Sequence, residues 1–371
     1  MRNPSIFIAA TGQNVGKTTL CLGIQSALRS HVSSVGFIKP VGQQYLNVEG
    51  GIRVDKDAYL FKKLFSLPQD YSTLSPVLFP AGLTRDYIDG HVDTNRLRKA
   101  ILSSFDEVNA AHPFTIVEGT GHVGVGSLLG LNNADVAHLL DVAIIIIASG
   151  GLGSAFDELA LNIEMCKAKG VEVRGVILNR VHNDKREMIV DYFGRALRTL
   201  NIPLLGCIPF SERLCHPTME NYSQLFRTEL LAGTARKHDQ FSRSRLVAGS
   251  LESFLSDMTD SELIIMPACR MDIIEAVYAP DFDASPFSRG HYGVILSGRT
   301  PPCDGALKLI RASQIPTLYA PCCSFDVMKS ITSFTAKIGP EDTEKAERII
   351  ELVRENVDVE RLLEIGCASV L

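Results

Sequence analysis

The sequence has no tryptophan, no CxxC pair among its nine cysteines, and no apolar run longer than a strand. Each absence removes a class of function. Without paired cysteines there is no zinc knuckle and no thioredoxin-type redox motif, and nine scattered thiols, with Cys322 and Cys323 adjacent, make no disulfide framework. They read as reduced thiols, most of them small buried hydrophobes, in the cytoplasm or another reducing compartment. The apolar runs Val142 to Ala148 and Ser5 to Ala10 fall far short of the roughly 18–20 residues that cross a bilayer, so no membrane span is expected. Met1-Arg2-Asn3-Pro4 runs straight into an apolar segment, so no signal or transit peptide is expected either. The zinc motif HExxH and the nucleophile elbow Gly-x-Ser-x-Gly are missing. His122 and His138 have no partners at ligand spacing, and Gly121, Gly124 and Gly126 do not form a GxGxxG fingerprint. A basic excess is missing too. Residues 1–222 carry 21 Lys+Arg against 21 Asp+Glu, and residues 223–371 carry 16 against 21, for a net charge of −5. No nucleic-acid partner is expected from such a balance.

What is present is an alternation of strands and helices. With 371 residues, 46% of them hydrophobic, the chain has enough material for about two domains. Ser5–Ala9, Val35–Lys39, Phe114–Glu118, Val142–Ala148 and Val173–Asn179 are near-continuous apolar runs, the pattern of strands buried on both faces of a parallel sheet. Between them, Leu20/Ile24/Ala27/Leu28, Leu97/Ile101/Phe105/Val108, Leu159/Ile163/Cys166 and Met188/Ile189/Tyr192/Phe193/Ala196/Leu197/Leu200 recur at helical spacing. This predicts an α/β fold, a doubly wound and mostly parallel sheet over residues 1–222. The pattern weakens over 223–250, around the basic residues Arg236, Lys237, Arg243 and Arg245, where a linker or bridging helix is expected. Residues 251–371 read as a second, smaller α/β domain. Its strands are Glu262–Met266, His291–Leu296 and Thr317–Ala320, and its helices are Met271–Tyr278, Asp304–Ala312, Phe325–Phe334 and a last one, Thr343–Asn356, with an acidic first turn around Glu341 and Asp342.

The strongest motif lies between the first strand and the first helix: Thr11-Gly12-Gln13-Asn14-Val15-Gly16-Lys17-Thr18-Thr19. In that position it reads as a phosphate-binding loop. Backbone N–H groups of Gly12 to Thr19 would converge on phosphate oxygens, Lys17 would reach the β- and γ-phosphates, and the Thr18 hydroxyl would hold Mg²⁺. Thr11 stands where the standard pattern has glycine.

Three further positions fall at strand ends on the same edge of the sheet. Lys39 follows the second strand, within reach of phosphate or an anionic substrate. Glu118 ends the third strand, where a carboxylate suits Mg²⁺ or a water-positioning role. Asp55 and Asp57 are both candidates for a second carboxylate at that metal. Asn179 ends the fifth strand, where an amide presents donor and acceptor edges to a base.

These residues resemble the dethiobiotin synthetase-like branch of P-loop proteins. The similar pieces are TGQNVGKT (11–18), FIKPV (37–41), KDAYL (56–60), VEGTG (117–121), GVILNR (175–180) and LGCIP (205–209), in the family's order over residues 1 to about 215. The resemblance implies ATP with Mg²⁺, a homodimer, catalytic roles for Lys17, Lys39 and Glu118, metal ligation by Thr18, Asp57 and Glu118, and nucleotide contact by Asn179. It favours Asp57 over Asp55. The whole chain is similar to the N-terminal part of long phosphate acetyltransferases, in which a DRTGG domain follows. ELIIMPACRMDII (262–274), GVILSG (293–298) and IGPEDTEKA (338–346) carry that likeness, although the literal DRTGG string is absent and LSGRT (296–300) stands in its neighbourhood. At 371 residues no acetyltransferase domain of roughly 300 residues is expected within the chain. Gly42-Gln43-Gln44 also departs from the family's Ser-Gly after Lys-Pro-Val-Ala, which would alter the substrate pocket. The resulting expectation is a slowly hydrolysing, Mg-ATP-binding regulatory protein whose second domain meets a protein or a small effector. An ATP-dependent ligase and a non-enzymatic scaffold are the alternatives.

Overall fold

A computed structural model describes residues 2–278, 291–334, 336–340 and 342–368. The chain divides into two compact units, Met1–Ser211 together with Ile338–Leu371, and Glu212–Lys337.

The first unit is built on six parallel strands: β1 Ser5–Ala10, β2 Val35–Ile38, β3 Phe114–Glu118, β4 Ile144–Ser149, β5 Val173–Val181 and β6 Leu204–Pro209. Their order across the sheet is β6-β5-β4-β1-β3-β2. All of β1, β2 and β3 is buried, as continuous Ile, Val and Phe runs require when helices cover both faces. From β1 the chain winds to β2 and β3 on one side, then crosses to β4, β5 and β6 on the other. This leaves a crevice at the carboxyl end of β1, the switch point where open α/β sheets bind ligands. The longer helices before the second unit are α1 Lys17–Leu28, α2 Lys56–Phe65, α3 Thr94–Ala111, α4 Asn133–Leu140, α5 Gly153–Ala168 and α6 Arg186–Arg198. Two small ladders, Val41–Gly42 with Val77–Leu78 and Tyr45–Asn47 with Arg53–Asp55, rise beyond β2.

The second unit has its own sheet, from β7 Leu230–Ala232, β8 Arg243–Leu246, β9 Glu262–Pro267, β10 Tyr292–Ser297 and β11 Thr317–Ala320, in the order β7-β11-β10-β9-β8. β8 to β11 are parallel, and β7 pairs antiparallel with β11. One face packs on α8 Leu251–Ser256, α9 Met271–Tyr278 and α10 Asp304–Arg311. The other packs on α7 Met219–Phe226 and α11 Ser324–Ser333. Successive right-handed crossovers stepping in one direction put α8 to α10 on one face.

The structure corrects the sequence reading here. The stretch 223–250 is no linker, because it supplies β7 and β8, the two edge strands of the second sheet. β7 has only three residues, and β8 (Arg-Ser-Arg-Leu) is half-exposed and charged, as edge strands usually are, so neither shows the apolar run that marks a central strand.

Nor does 251–371 stay together. After the second unit the chain returns to the first through α12 Thr343–Asn356 and α13 Val359–Ala368, so Thr343–Asn356 is not the last helix. α12 lies along α1, and α13 packs on β1 and α1. Val357 bridges antiparallel to Gly206, the Asp358 N–H donates to the Leu205 carbonyl at 2.8 Å, and the Arg186 guanidinium donates to Asn356 Oδ1 at 2.6 Å. α1 accommodates α12 through Gly23, where an added Cβ would lie 2.5 Å from Val353 Cγ2. Glu341, expected in the first turn of α12, lies outside the described residues. The cysteines also depart from expectation: Cys21, Cys166 and Cys207 are buried, while Cys269, Cys303, Cys323 and Cys367 are exposed free thiols.

Candidate functional site

The loop from β1 into α1 is shaped by two left-handed residues, Asn14 at φ 57° and Gly16 at φ 104°. Gly16 is required twice over. Its backbone conformation disfavours a side chain, and a Cβ there would lie 2.3 Å from Asn179 Nδ2. α1 opens directly from it, with the Leu20 N–H donating to the Gly16 carbonyl at 2.9 Å. The free N–H groups of the first turn therefore face the loop, the arrangement that favours anions. Within the motif Gln13 and Asn14 are exposed, Gly12, Val15, Gly16, Thr18 and Thr19 are partly covered, and Lys17 is buried.

Five expected residues meet beside this loop. Lys39 Nζ donates to Asp57 Oδ2 at 2.8 Å, to Glu118 Oε1 at 2.8 Å and to the Gly119 carbonyl at 3.0 Å. Thr18 Oγ1 donates to the same Glu118 oxygen at 2.8 Å. Lys17 Nζ donates to the Gly121 carbonyl at 2.5 Å and to the Gly12 carbonyl at 3.4 Å. Register explains the meeting, since Glu118 is paired with Ile8 of β1 and Ile38 with Val117, which brings the carboxyl ends of β1, β2 and β3 to one edge. Asp57 arrives from the first turn of α2, whose N-cap is Asp55. The Asp55 carboxylate accepts the Asp57 N–H at 2.9 Å, so Asp55 orients the helix start and Asp57 faces Lys39.

Burial by itself would lower the Lys39 ammonium, yet Asp57 and Glu118 hold it well above its ordinary range. Lys17 moves the other way, down to about 8, first through burial and then through the Lys39 charge. The donor set fits a hard cation. Glu118 Oε2 is buried and has no hydrogen-bond partner among the described residues, while the other oxygen of that carboxylate meets the Thr18 hydroxyl directly and Asp57 through Lys39. Two carboxylates and a hydroxyl are a partial set, of the kind Mg²⁺ completes with waters and phosphate oxygens. Among the described residues no cluster of three or more His, Cys, Asp or Glu side chains forms a fuller one.

Asn179 Nδ2 donates to the Val15 carbonyl at 2.7 Å and its Oδ1 accepts the Arg180 N–H at 3.0 Å, so the amide holds the phosphate loop with one of its two N–H groups and one oxygen lone pair.

Two further asparagines were not visible to sequence reasoning. Asn133 gives its whole amide to the loop after β3. Its Oδ1 accepts the Thr120 N–H at 2.9 Å, and its Nδ2 donates to the Thr120 and His122 carbonyls, each at 3.0 Å. Asn162 ties the same loop to the phosphate loop, accepting the Val123 N–H at 3.0 Å and donating to the Thr11 carbonyl at 3.3 Å. Together they set the carbonyls of Gly119 and Gly121 that receive Lys39 and Lys17. A single Asn near a helix start reads locally as a cap, and no local pattern distinguishes it from a loop clamp.

The model of the AAA domain matches residues 4–218, and that of the DRTGG domain matches residues 223–334. The phosphate acetyltransferase of Pseudomonas putida is 26% identical over 95% of this chain and 50% of its own length. The ATP-dependent dethiobiotin synthetase BioD of Brachyspira hyodysenteriae is 26% identical over 56% of this chain and 96% of its own. The MinD cell division protein of Aquifex aeolicus aligns in structure over 57% of this chain and 84% of its own, at 17% identity and a TM-score of 0.34. The chain spans about half the length of the phosphate acetyltransferases it matches. No described helix is long and apolar enough to cross a membrane. With the phosphate loop and its strand-end cluster lying inside a match that covers more than half of its length, the chain belongs to the AAA-domain family of P-loop proteins and carries a DRTGG domain behind it.

Proposed function

We propose that the first unit binds Mg-ATP, hydrolyses it slowly and acts as a regulatory module, as a homodimer in a reducing compartment, with the DRTGG domain as its contact for a protein or small-molecule effector. The observation that carries this reading is the convergence of Lys17, Thr18, Lys39, Asp57 and Glu118 beside a loop held open by Gly16. In this reading Thr18, Asp57 and Glu118 would hold Mg²⁺, which would supply positive charge against the phosphates. Lys17 pairs with the same phosphates, and the N–H groups from Gly12 to Thr19 cradle them. Phosphoryl transfer needs little else than such positioning and charge. The test is calorimetry and thermal unfolding with Mg-ATP. Wild type should bind and melt higher, whereas Lys17→Ala should keep its ligand-free melting temperature and lose the shift. Absence of binding by wild type would refute the reading.

A second reading, an ATP-dependent ligase, is favoured by the coverage of nearly the whole length of a dethiobiotin synthetase. It requires ADP release that depends on one small amine or carboxylate. Turnover indifferent to a panel of such compounds would exclude it.

A further inference from the structure

The three side chains expected to hold the metal, Thr18, Asp57 and Glu118, are all engaged in one hydrogen-bonded cluster whose cation is Lys39. The ammonium lies 2.8 Å from Asp57 Oδ2 and 2.8 Å from Glu118 Oε1, the oxygen that also accepts the Thr18 hydroxyl. Its third bond, to the Gly119 carbonyl at 3.0 Å, uses the last of its three donors. Lys39, Asp57 and Glu118 are all at least nine-tenths buried. We infer that Lys39 is an internal surrogate for the divalent cation, holding the ligand oxygens in the nucleotide-free protein, and that metal enters only as the lysine is drawn off by the nucleotide's phosphates. The inference rests on the Mg-nucleotide reading of this site.

The argument is one of charge and room. Two buried carboxylates without a cation would be strongly destabilising, so the pair needs a positive group, and a tethered ammonium supplies it. Asp57 Oδ2 and Glu118 Oε1 are already taken by the ammonium, and a divalent ion bound through the one unpartnered oxygen, Glu118 Oε2, would face the like charge of that ammonium across a single carboxylate. An ammonium expelled from a buried pair needs another anion. The phosphate loop lies beside the cluster, with Lys17 of the loop and Lys39 of the cluster both bonded to carbonyls of the 119–121 turn. A polyphosphate arriving there supplies the anion. Metal and nucleotide are therefore expected to bind with strong positive coupling, and the divalent ion alone should bind poorly.

The test uses the full chain with Mn²⁺ as probe, read by the electron paramagnetic resonance of the free ion, with and without AMPPNP. Wild type should leave Mn²⁺ free at millimolar concentration without nucleotide and take it up with AMPPNP. Lys39→Met keeps the bulk and removes the charge, and should bind Mn²⁺ without nucleotide at least tenfold more tightly than wild type. Equal nucleotide-free affinities in the two proteins, with nucleotide-dependent uptake intact in wild type, would overturn the surrogate role alone. No uptake by wild type even with AMPPNP would overturn the function reading as well. A second measurement on wild type covers a variant that does not fold. The ¹⁵Nζ resonance of Lys39 should be unmoved by Mg²⁺ alone and shifted by Mg²⁺ with AMPPNP. A shift with Mg²⁺ alone, or none with both, overturns the inference.

Discussion

The return of the chain onto the first unit makes a quantitative demand on a single glycine. Gly23 lies inside α1, where alanine would be worth about 1 kcal/mol more by helix propensity. Its space is taken by α12, since a Cβ there would lie 2.5 Å from Val353 Cγ2, 3.0 Å from Val353 Cβ and 3.0 Å from the Ile349 carbonyl. Contacts of that kind in a packed interior cost about 1–3 kcal/mol. Set against the propensity gain, the overlap leaves Gly23→Ala destabilising by up to about 2 kcal/mol. Val353 is fully buried, and Val353→Ala removes two methyl groups at about 0.8 kcal/mol each plus a cavity term, about 2 kcal/mol in all.

The double variant is the informative one. Removing Val353 Cγ2 makes the space the new methyl needs, so the pair should fall short of the sum of the singles by more than about 1 kcal/mol, within the range seen for residues in contact. Two units make a single global unfolding energy ill-defined, so the cycle is best read from hydrogen exchange of α1 and α12 amides by mass spectrometry. Additivity within about 0.5 kcal/mol would refute the packing of α12 on the phosphate-loop helix.

Gly16→Ala should lower Mg-nucleotide affinity by more than tenfold, measured by calorimetry, because it strains a left-handed backbone and pushes Asn179 off the Val15 carbonyl; unchanged affinity would exclude that clamp. Asn133→Ala leaves one N–H and two carbonyls of the 120–122 turn without their partner, at about 1–3 kcal/mol for each group left buried, and should lower the melting temperature of the chain by several degrees. His112 gives a pH dependence. Its ring nitrogens meet Ser34 Oγ at 3.0 Å and Gln69 Nε2 at 2.9 Å, and burial, with Arg29 nearby, lowers its pKa. The unfolded chain therefore binds a proton at a higher pH than the folded one. The stability His112 contributes is whole above an unfolded value of about 6.5 and is lost progressively as pH falls from there through the lowered folded value. His112→Gln should flatten the slope of melting temperature below about pH 6.5, and an unchanged slope would refute the assignment.

Much of the architecture is legible in the linear chain because it depends on neighbours along it. Runs such as Phe114–Glu118 and Thr317–Ala320 are strands in the structure with those same bounds, and Met271–Tyr278 and Thr343–Asn356 are helices with theirs. The phosphate loop is legible too, since its geometry comes from glycine and from the strand and helix on either side. Lys39, Asp57 and Glu118 were found through their places at strand ends and through family likeness, and parallel register then carried them to one edge.

Other features have no local signature. Edge strands β7 and β8 carry no such signal because β7 is only three residues long and β8 is charged and half-exposed, as a strand paired on one side can be. The roles of Asn133, Asn162 and Asn179 depend on carbonyls 11 to 164 residues away in sequence. The stripe on α12 announced a buried helix face without naming its partner, because an apolar stripe specifies burial and not what buries it. Gly23 and the strands around it supplied the partner. The motif for phosphate was thus local chemistry, while the ammonium among its metal ligands and the helix laid along α1 came into being only when distant segments met.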